Sequence, residues 1–138
     1  MSNKPTMTQA QFEAHNRKLK RQKGEPEFES ESEFQREAEQ WLRRAGFEPR
    51  TPASISKHHN GRWYIHLHKT KKNPIMGDLL LLDQSNGAQN TRAIEIELKN
   101  GSTALSTEQS YLYKRNEIVV CRYMEEFESA VFDWVNNG

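Results

Sequence analysis

Gly77-Asp78-Leu79-Leu80-Leu81-Leu82-Asp83, followed after a polar gap by Arg92-Ala93-Ile94-Glu95-Ile96-Glu97-Leu98-Lys99, decides how this chain folds. Leu79 to Leu82 is apolar at every position, which predicts a strand covered on both faces and therefore central in a sheet. The second stretch alternates. Ile94, Ile96 and Leu98 point one way, while Glu95, Glu97 and Lys99 point the other. The connecting residues Gln84–Thr91 are polar and contain Asn86-Gly87, so the two strands are expected to form an antiparallel hairpin. Asp78 then sits at the mouth of a buried strand, a costly position for an acid unless it is paired or metal-bound.

The 138-residue chain is long enough for one domain with its own core. Charged residues make up 28% and hydrophobic residues 34%, so part of the chain is expected to stay unpacked. The single cysteine, Cys121, excludes a disulfide framework and a zinc-type cysteine cluster, and its apolar surroundings predict a buried thiol. No stretch has the length and apolarity of a membrane span, and the N-terminus lacks an apolar signal region. A soluble, intracellular, cytoplasmic protein with no membrane partner is expected. The net charge is only +1, but it is unevenly placed. Pro49 to Gly77 contains no Asp or Glu, yet holds Arg50, Lys57, Arg62, Lys69, Lys71 and Lys72, with His58, His59, His66 and His68. Such zoning can present a phosphate-binding surface on a nearly neutral chain.

Outward from the hairpin, residues 1–28 read as a flexible basic arm, partly helical around Gln9–Lys20 and broken off by Gly24-Glu25-Pro26. Residues 29–138 form the folded domain. Ser30-Glu31-Ser32-Glu33 fits a capping box opening a helix, with Phe34, Ala38, Trp41, Leu42 and Ala45 on its apolar face and Gly46 at its end. Arg62–His68 alternates as a strand. Ser106-Thr107-Glu108-Gln109 opens a second helix, Glu117–Arg122 is a further strand, and Met124–Val135 is a closing amphipathic helix. The order is α-β-β-β-α-β-α, an α/β fold. Trp41, Trp63 and Trp134 are expected in or beside the core.

Two carboxylates and a lysine on adjoining strands suit the hydrolysis of a phosphodiester. That reaction needs an activated water and neutralised phosphate charge, which Mg²⁺ or Mn²⁺ held by oxygen ligands supplies. Asp78 and Glu97 are the natural ligands, the Leu98 backbone carbonyl is a third, and Lys99 is placed to orient the attacking water or stabilise developing charge. Glu31 can complete the metal shell directly or through water. Glu33 competes for that helix position, and the capping pattern favours Glu31. Glu95 shares the face of Glu97 as an extra ligand, a surface acid or a salt-bridge partner of Arg92. Lys69, Lys71, Lys72, Arg62, His66 and His68 are candidate nucleic-acid contacts. The same lysines also fit a solvated loop.

These pieces resemble the PD-(D/E)XK nuclease superfamily, and within it the VRR-NUC domain group. The resemblance runs over Glu31-Ser32-Glu33-Phe34-Gln35, Gly77-Asp78-Leu79, Ile96-Glu97-Leu98-Lys99 and Leu105-Ser106-Thr107-Glu108-Gln109. It implies a restriction-endonuclease-like αβββαβ core, a mixed central sheet flanked by helices, with Asp78, Glu97 and Lys99 as the catalytic triad. It also implies that Glu31 is the helix acid and gives Gln109 a catalytic part, although Gln109 serves equally well as a helix cap. The family pattern places proline before the aspartate; here Gly77 stands there. The expected function is a Mg²⁺-dependent endonuclease acting on DNA rather than RNA, selective for junctions or flaps, and the resemblance suggests a homodimer. The alternatives are a non-catalytic nucleic-acid-binding module and a protein-interaction module on the same fold.

Overall fold

The hairpin forms where its sequence places it. In the computed structural model, which describes residues 8–51, 61–67, 77–115 and 117–137, Leu79–Asp83 (β3) pairs antiparallel with Arg92–Leu98 (β4). Leu79 stands opposite Ile96 and Leu81 opposite Ile94. On the other side of β3 runs Arg62–His66 (β2), also antiparallel, with Trp63 opposite Leu82 and His66 opposite Leu79. Two short strands complete the sheet in parallel pairings, Phe47–Pro49 (β1) beside β2 and Val119–Cys121 (β5) beside β4. The sheet is thus mixed, with five strands in chain order and β3 at its centre. β1 escaped the sequence because three residues are too few to show a period. Its proline is tolerated because the strand lies at an edge.

Among the described residues four α-helices accompany the sheet: Gln9–Gln22 (α1), Glu31–Arg44 (α2), Thr107–Lys114 (α3) and Met124–Asn136 (α4). The apolar stripe of α2, Phe34, Ala38 and Leu42, joins Phe127 and Val131 of α4 in one buried cluster. The sheet contributes Tyr64, Leu79, Leu81, Ile96, Leu98 and Cys121 to it. By strand alternation these all lie on one face, so α2 and α4 cover that face. The opposite face carries Trp63, Ile65 and Leu82, together with Glu95, Glu97 and Lys99. Cys121 is buried, and burial pushes its thiol up to about 12, which leaves it an inert packing residue. Trp63 is buried, and Trp41 and Trp134 pack half-buried against the core, as expected.

The segment before α2 is tied to the sheet. The Asn100 side chain, just past β4, accepts from the Phe28 N–H (3.2 Å) and donates back to the Phe28 carbonyl. Glu27 accepts from the Met124 N–H at 2.9 Å and so caps α4, whose own N-cap, Tyr123, supplies no side-chain bond. Gly101 has φ +68°, and a Cβ there would lie 3.0 Å from Pro26, so the close crossing of the two segments requires glycine. Beyond Gly24, α1 lies along the outer side of α2 and α4: Arg17 stacks over Phe28, and Arg21 pairs with Glu125. The capping box expected at α2 forms only in part. Ser30 accepts from the Glu33 N–H, but the Glu33 carboxylate reaches the Glu29 N–H instead of that of Ser30. At α3 the reciprocal box of Ser106 and Gln109 is complete.

At the turn end of the hairpin, buried Asp83 accepts from the Ser85 N–H (2.9 Å) and hydroxyl (2.6 Å) and from Arg92 (2.9 Å), with Arg62 at 3.5 Å. Arg92 also donates to the Trp134 and Val135 carbonyls, capping the end of α4. Burial pushes the Asp83 carboxyl up, but the Ser85, Arg92 and Arg62 contacts outweigh it and hold the group below its ordinary value. A carboxyl depressed by folding stabilises the native state above its unfolded pKa, and that contribution is lost as pH falls through the folded value. The urea midpoint is expected to drop below about pH 4, and Asp83→Asn should flatten that acid limb while lowering the midpoint at neutral pH. An unchanged acid limb in the variant would assign it to other carboxylates.

Candidate functional site

Asp78 is fixed from both sides before β3 begins. Its N–H donates to the Ile96 carbonyl at 2.8 Å, and its carbonyl accepts from the Leu67 N–H at 2.9 Å. Its Oδ2 accepts from the Leu98 N–H at 2.7 Å, a short charge-assisted bond. That N–H belongs to the peptide joining Glu97 to Leu98, so the Asp78 carboxylate lies against the main chain between Glu97 and Lys99. The N–H and C=O of a strand residue point to the same edge, so the Leu98 carbonyl also faces the Asp78 side.

Glu97 is fully buried and Lys99 nearly so, with the Lys99 Nζ 3.6 Å from the Glu97 Oε1. Alternation predicted their shared face, and the structure brings them together on it. A buried ion pair of this kind costs several kcal/mol per ion in desolvation, and a well-packed apolar pair would serve stability as well or better. The pair is therefore a weak stabiliser and a strong local concentration of charge beside Asp78.

Glu31 arrives differently. The clasp of Asn100 on Phe28 brings the start of α2 to the end of β4. One helical turn after Glu31, Gln35 reaches the Asp78 carbonyl at 3.5 Å and the His66 ring at 2.9 Å. Yet α2 covers the face opposite to the Glu97 side chain. Among the described residues, no three His, Cys, Asp or Glu side chains gather closely enough to hold a metal ion by themselves. Asp78, Glu97 and Glu31 therefore do not close into one group of three.

Gln109 is buried, and its carboxamide oxygen accepts from the Ser106 N–H at 3.1 Å, so it does cap α3. Arg62 lies at the Asp83 end of the sheet, about 17 Å along β3 from Asp78 at roughly 3.4 Å per residue. His66 stands at the Asp78 end, 3.3 Å from Glu39. His68, Lys69, Lys71 and Lys72, like Lys57, His58 and His59, lie outside the described residues. Glu95 does not pair with Arg92, which is occupied by Asp83; its Oε2 accepts from the Gly77 N–H at 3.2 Å. Gln35 and Asn100 belong to the site's framework and went unread in the sequence. Each bonds to a residue far along the chain, which no local pattern reveals.

Gly77 is a place of close approach. A Cβ there would fall 2.8 Å from the Ile96 carbonyl and 3.1 Å from both Glu95 and Ile118. Proline would add that Cβ and remove the N–H that holds Glu95. Glycine here substitutes a tight fit against β4 for a rigid ring.

No family model matches the chain, and neither a curated protein nor a solved structure matches it. Among the described residues no helix is long and apolar enough to cross a membrane.

Gly77→Ala is expected to lower stability by about 1–3 kcal/mol, the usual cost of overpacking, and Gly77→Pro by more. Chemical denaturation measures both, and an unchanged midpoint for Gly77→Ala would contradict the tight approach.

Proposed function

We propose that the protein is a metal-dependent endonuclease that hydrolyses phosphodiester bonds in DNA, on a restriction-endonuclease-like core of the PD-(D/E)XK, VRR-NUC-like type. The observation that carries this function is the bond from the Leu98 N–H to Asp78, which sets one carboxylate against the buried Glu97–Lys99 pair. The order α2, β2, β3, β4, α3, β5, with β5 parallel to β4, supports the αβββαβ core, β1 being added between α2 and β2.

The donors suit Mg²⁺ or Mn²⁺. Mg²⁺ characteristically takes one or two carboxylates and keeps several waters, so two acids suffice without a third. Asp78 and Glu97 would hold the ion through carboxylate oxygens, the Leu98 carbonyl is the third protein donor, and Glu31 contributes through water. When bound, the metal supplies Lewis-acid polarisation of the phosphate and a water acidified enough to attack. The chain's own residues do the rest. The Leu98 N–H fixes the Asp78 carboxylate against β4. Lys99, held near Glu97 in a dry setting, orients the attacking water and offsets the negative charge that builds on the phosphoryl oxygens. Gln109 is assigned to capping α3, with a supporting place in the site.

Among the described residues no three His, Cys, Asp or Glu side chains gather into a metal-holding group, and the second reading is a nucleic-acid-binding module without cleavage. One assay separates the two. Duplex, flap, junction and single-stranded DNA, with RNA counterparts, are incubated with Mg²⁺, Mn²⁺ or EDTA. Metal-dependent cleavage is expected, lost by about 10²-fold or more in Asp78→Asn and in Lys99→Gln. Asp78→Asn keeps an acceptor for Leu98, so its fold should survive. Binding without cleavage by the wild type would replace the endonuclease with the second reading.

A further inference from the structure

A cleft runs beside Asp78 on the β2 side, lined by Ser32, Gln35, Arg36, Glu39 and Arg43 of α2 and by His66 of β2. Gln35 is shared between this cleft and the candidate site, since its amide meets both the His66 ring and the Asp78 carbonyl. The cleft therefore opens about one strand spacing, 4.8 Å, from the Asp78 backbone.

Its charges are sorted. Arg36 and Arg43 are exposed. Arg43 is steadied by donating to the Tyr64 hydroxyl at 2.8 Å, which fixes its direction over β2. The one acid among the lining residues, Glu39, is largely covered, and its Oε2 lies 3.3 Å from the His66 ring. The outer rim is thus cationic, and the single carboxylate is turned toward a histidine. Ser32, Gln35 and His66 add neutral polar groups suited to phosphate oxygens. Arg36 and Arg43 are seven residues apart in sequence, about 10.5 Å along the helix, far enough apart to meet separate phosphates.

We infer that this cleft seats the phosphate backbone of a DNA strand, with Arg36 and Arg43 contacting separate phosphates, an inference that rests on the nuclease function proposed above. The strand lies along α2 and passes Gln35, whose amide meets the Asp78 carbonyl. Glu39 opposes the strand and trims its affinity. His66, a candidate nucleic-acid contact from the sequence, lines this cleft, but the two arginines sit on a helix rich in glutamate and were not read from it.

The test is fluorescence anisotropy of a short labelled DNA duplex in EDTA, across a salt series, with a matched RNA duplex as a second arm. The proteins compared are the wild type, Arg36→Ala, Arg36→Ala/Arg43→Ala and Glu39→Gln. The double variant should bind at least about tenfold more weakly, with a log–log salt slope shallower by about 1.8, the value for two lost phosphate contacts. Arg36→Ala, which breaks no internal bond recorded for Arg43, should show about half that change in slope. Glu39→Gln should bind more tightly, a gain that unfolding cannot produce. Equal affinity and slope in the wild type and the double variant would overturn the inference, as would a wild type that binds no DNA or prefers RNA. Arginine-dependent binding without metal-dependent cleavage would then count against the nuclease function alone, and cleavage with arginine-independent binding against the cleft alone.

Discussion

The close approach of Gly77-Asp78 to β4 is the constraint on which the structure turns. The missing side chain at Gly77 lets the chain enter β3 against the Ile96 carbonyl. The Asp78 N–H then bonds that carbonyl, and the Asp78 carboxylate bonds the Leu98 N–H. Three contacts within two residues fix where β3 begins relative to β4. Because strand side chains alternate, a slip of one residue would turn Leu79 and Leu81 away from the helices and bring Leu80 and Leu82 inward. It would also carry Asp78 away from the Glu97–Lys99 pair. The same contacts that set the register of the core therefore set the geometry of the candidate site.

A second tie links the site to the helical layer. Asn100 follows directly on Lys99 and holds Phe28 by both backbone groups. Phe28 stacks on Phe34, the first buried residue of α2. Glu27, its neighbour, caps α4. One short segment thus joins the end of β4, the start of α2 and the start of α4. Burial raises the Glu27 carboxyl above its ordinary value, opposed by its bond from Met124 and by Arg17 and Arg21. The segment holds a partly desolvated acid in place, and does so at the point where three elements converge.

Most of the layout was legible because it depends on local pattern. Leu79–Leu82 announced a central strand, Ile94, Ile96 and Leu98 an amphipathic partner, and Ser106 with Gln109 a complete capping box. Glu97 and Lys99 were found together because a spacing of two puts side chains on one strand face. What escaped depends on contacts between residues distant in sequence. β1 is too short to carry a period. Glu95 looked like a partner for Arg92 by proximity, but Arg92 turns to Asp83 across the hairpin and to the end of α4. Glu31 was expected to complete the metal shell, yet the helix it belongs to covers the other face of the sheet. Amphipathic spacing identifies the buried side of a helix but leaves open which face of the sheet it covers.

The central claim is that Asp78 and Glu97 act together as the oxygen donors for one divalent cation. Titration calorimetry with Mn²⁺ in the absence of nucleic acid tests it most directly, comparing the wild type with Asp78→Asn and Glu97→Gln. One saturable site is expected in the wild type, weakened at least about tenfold in each variant, with the thermal unfolding of Asp78→Asn close to that of the wild type. No Mn²⁺ binding by the wild type, or equal binding by a folded Asp78→Asn, would contradict it.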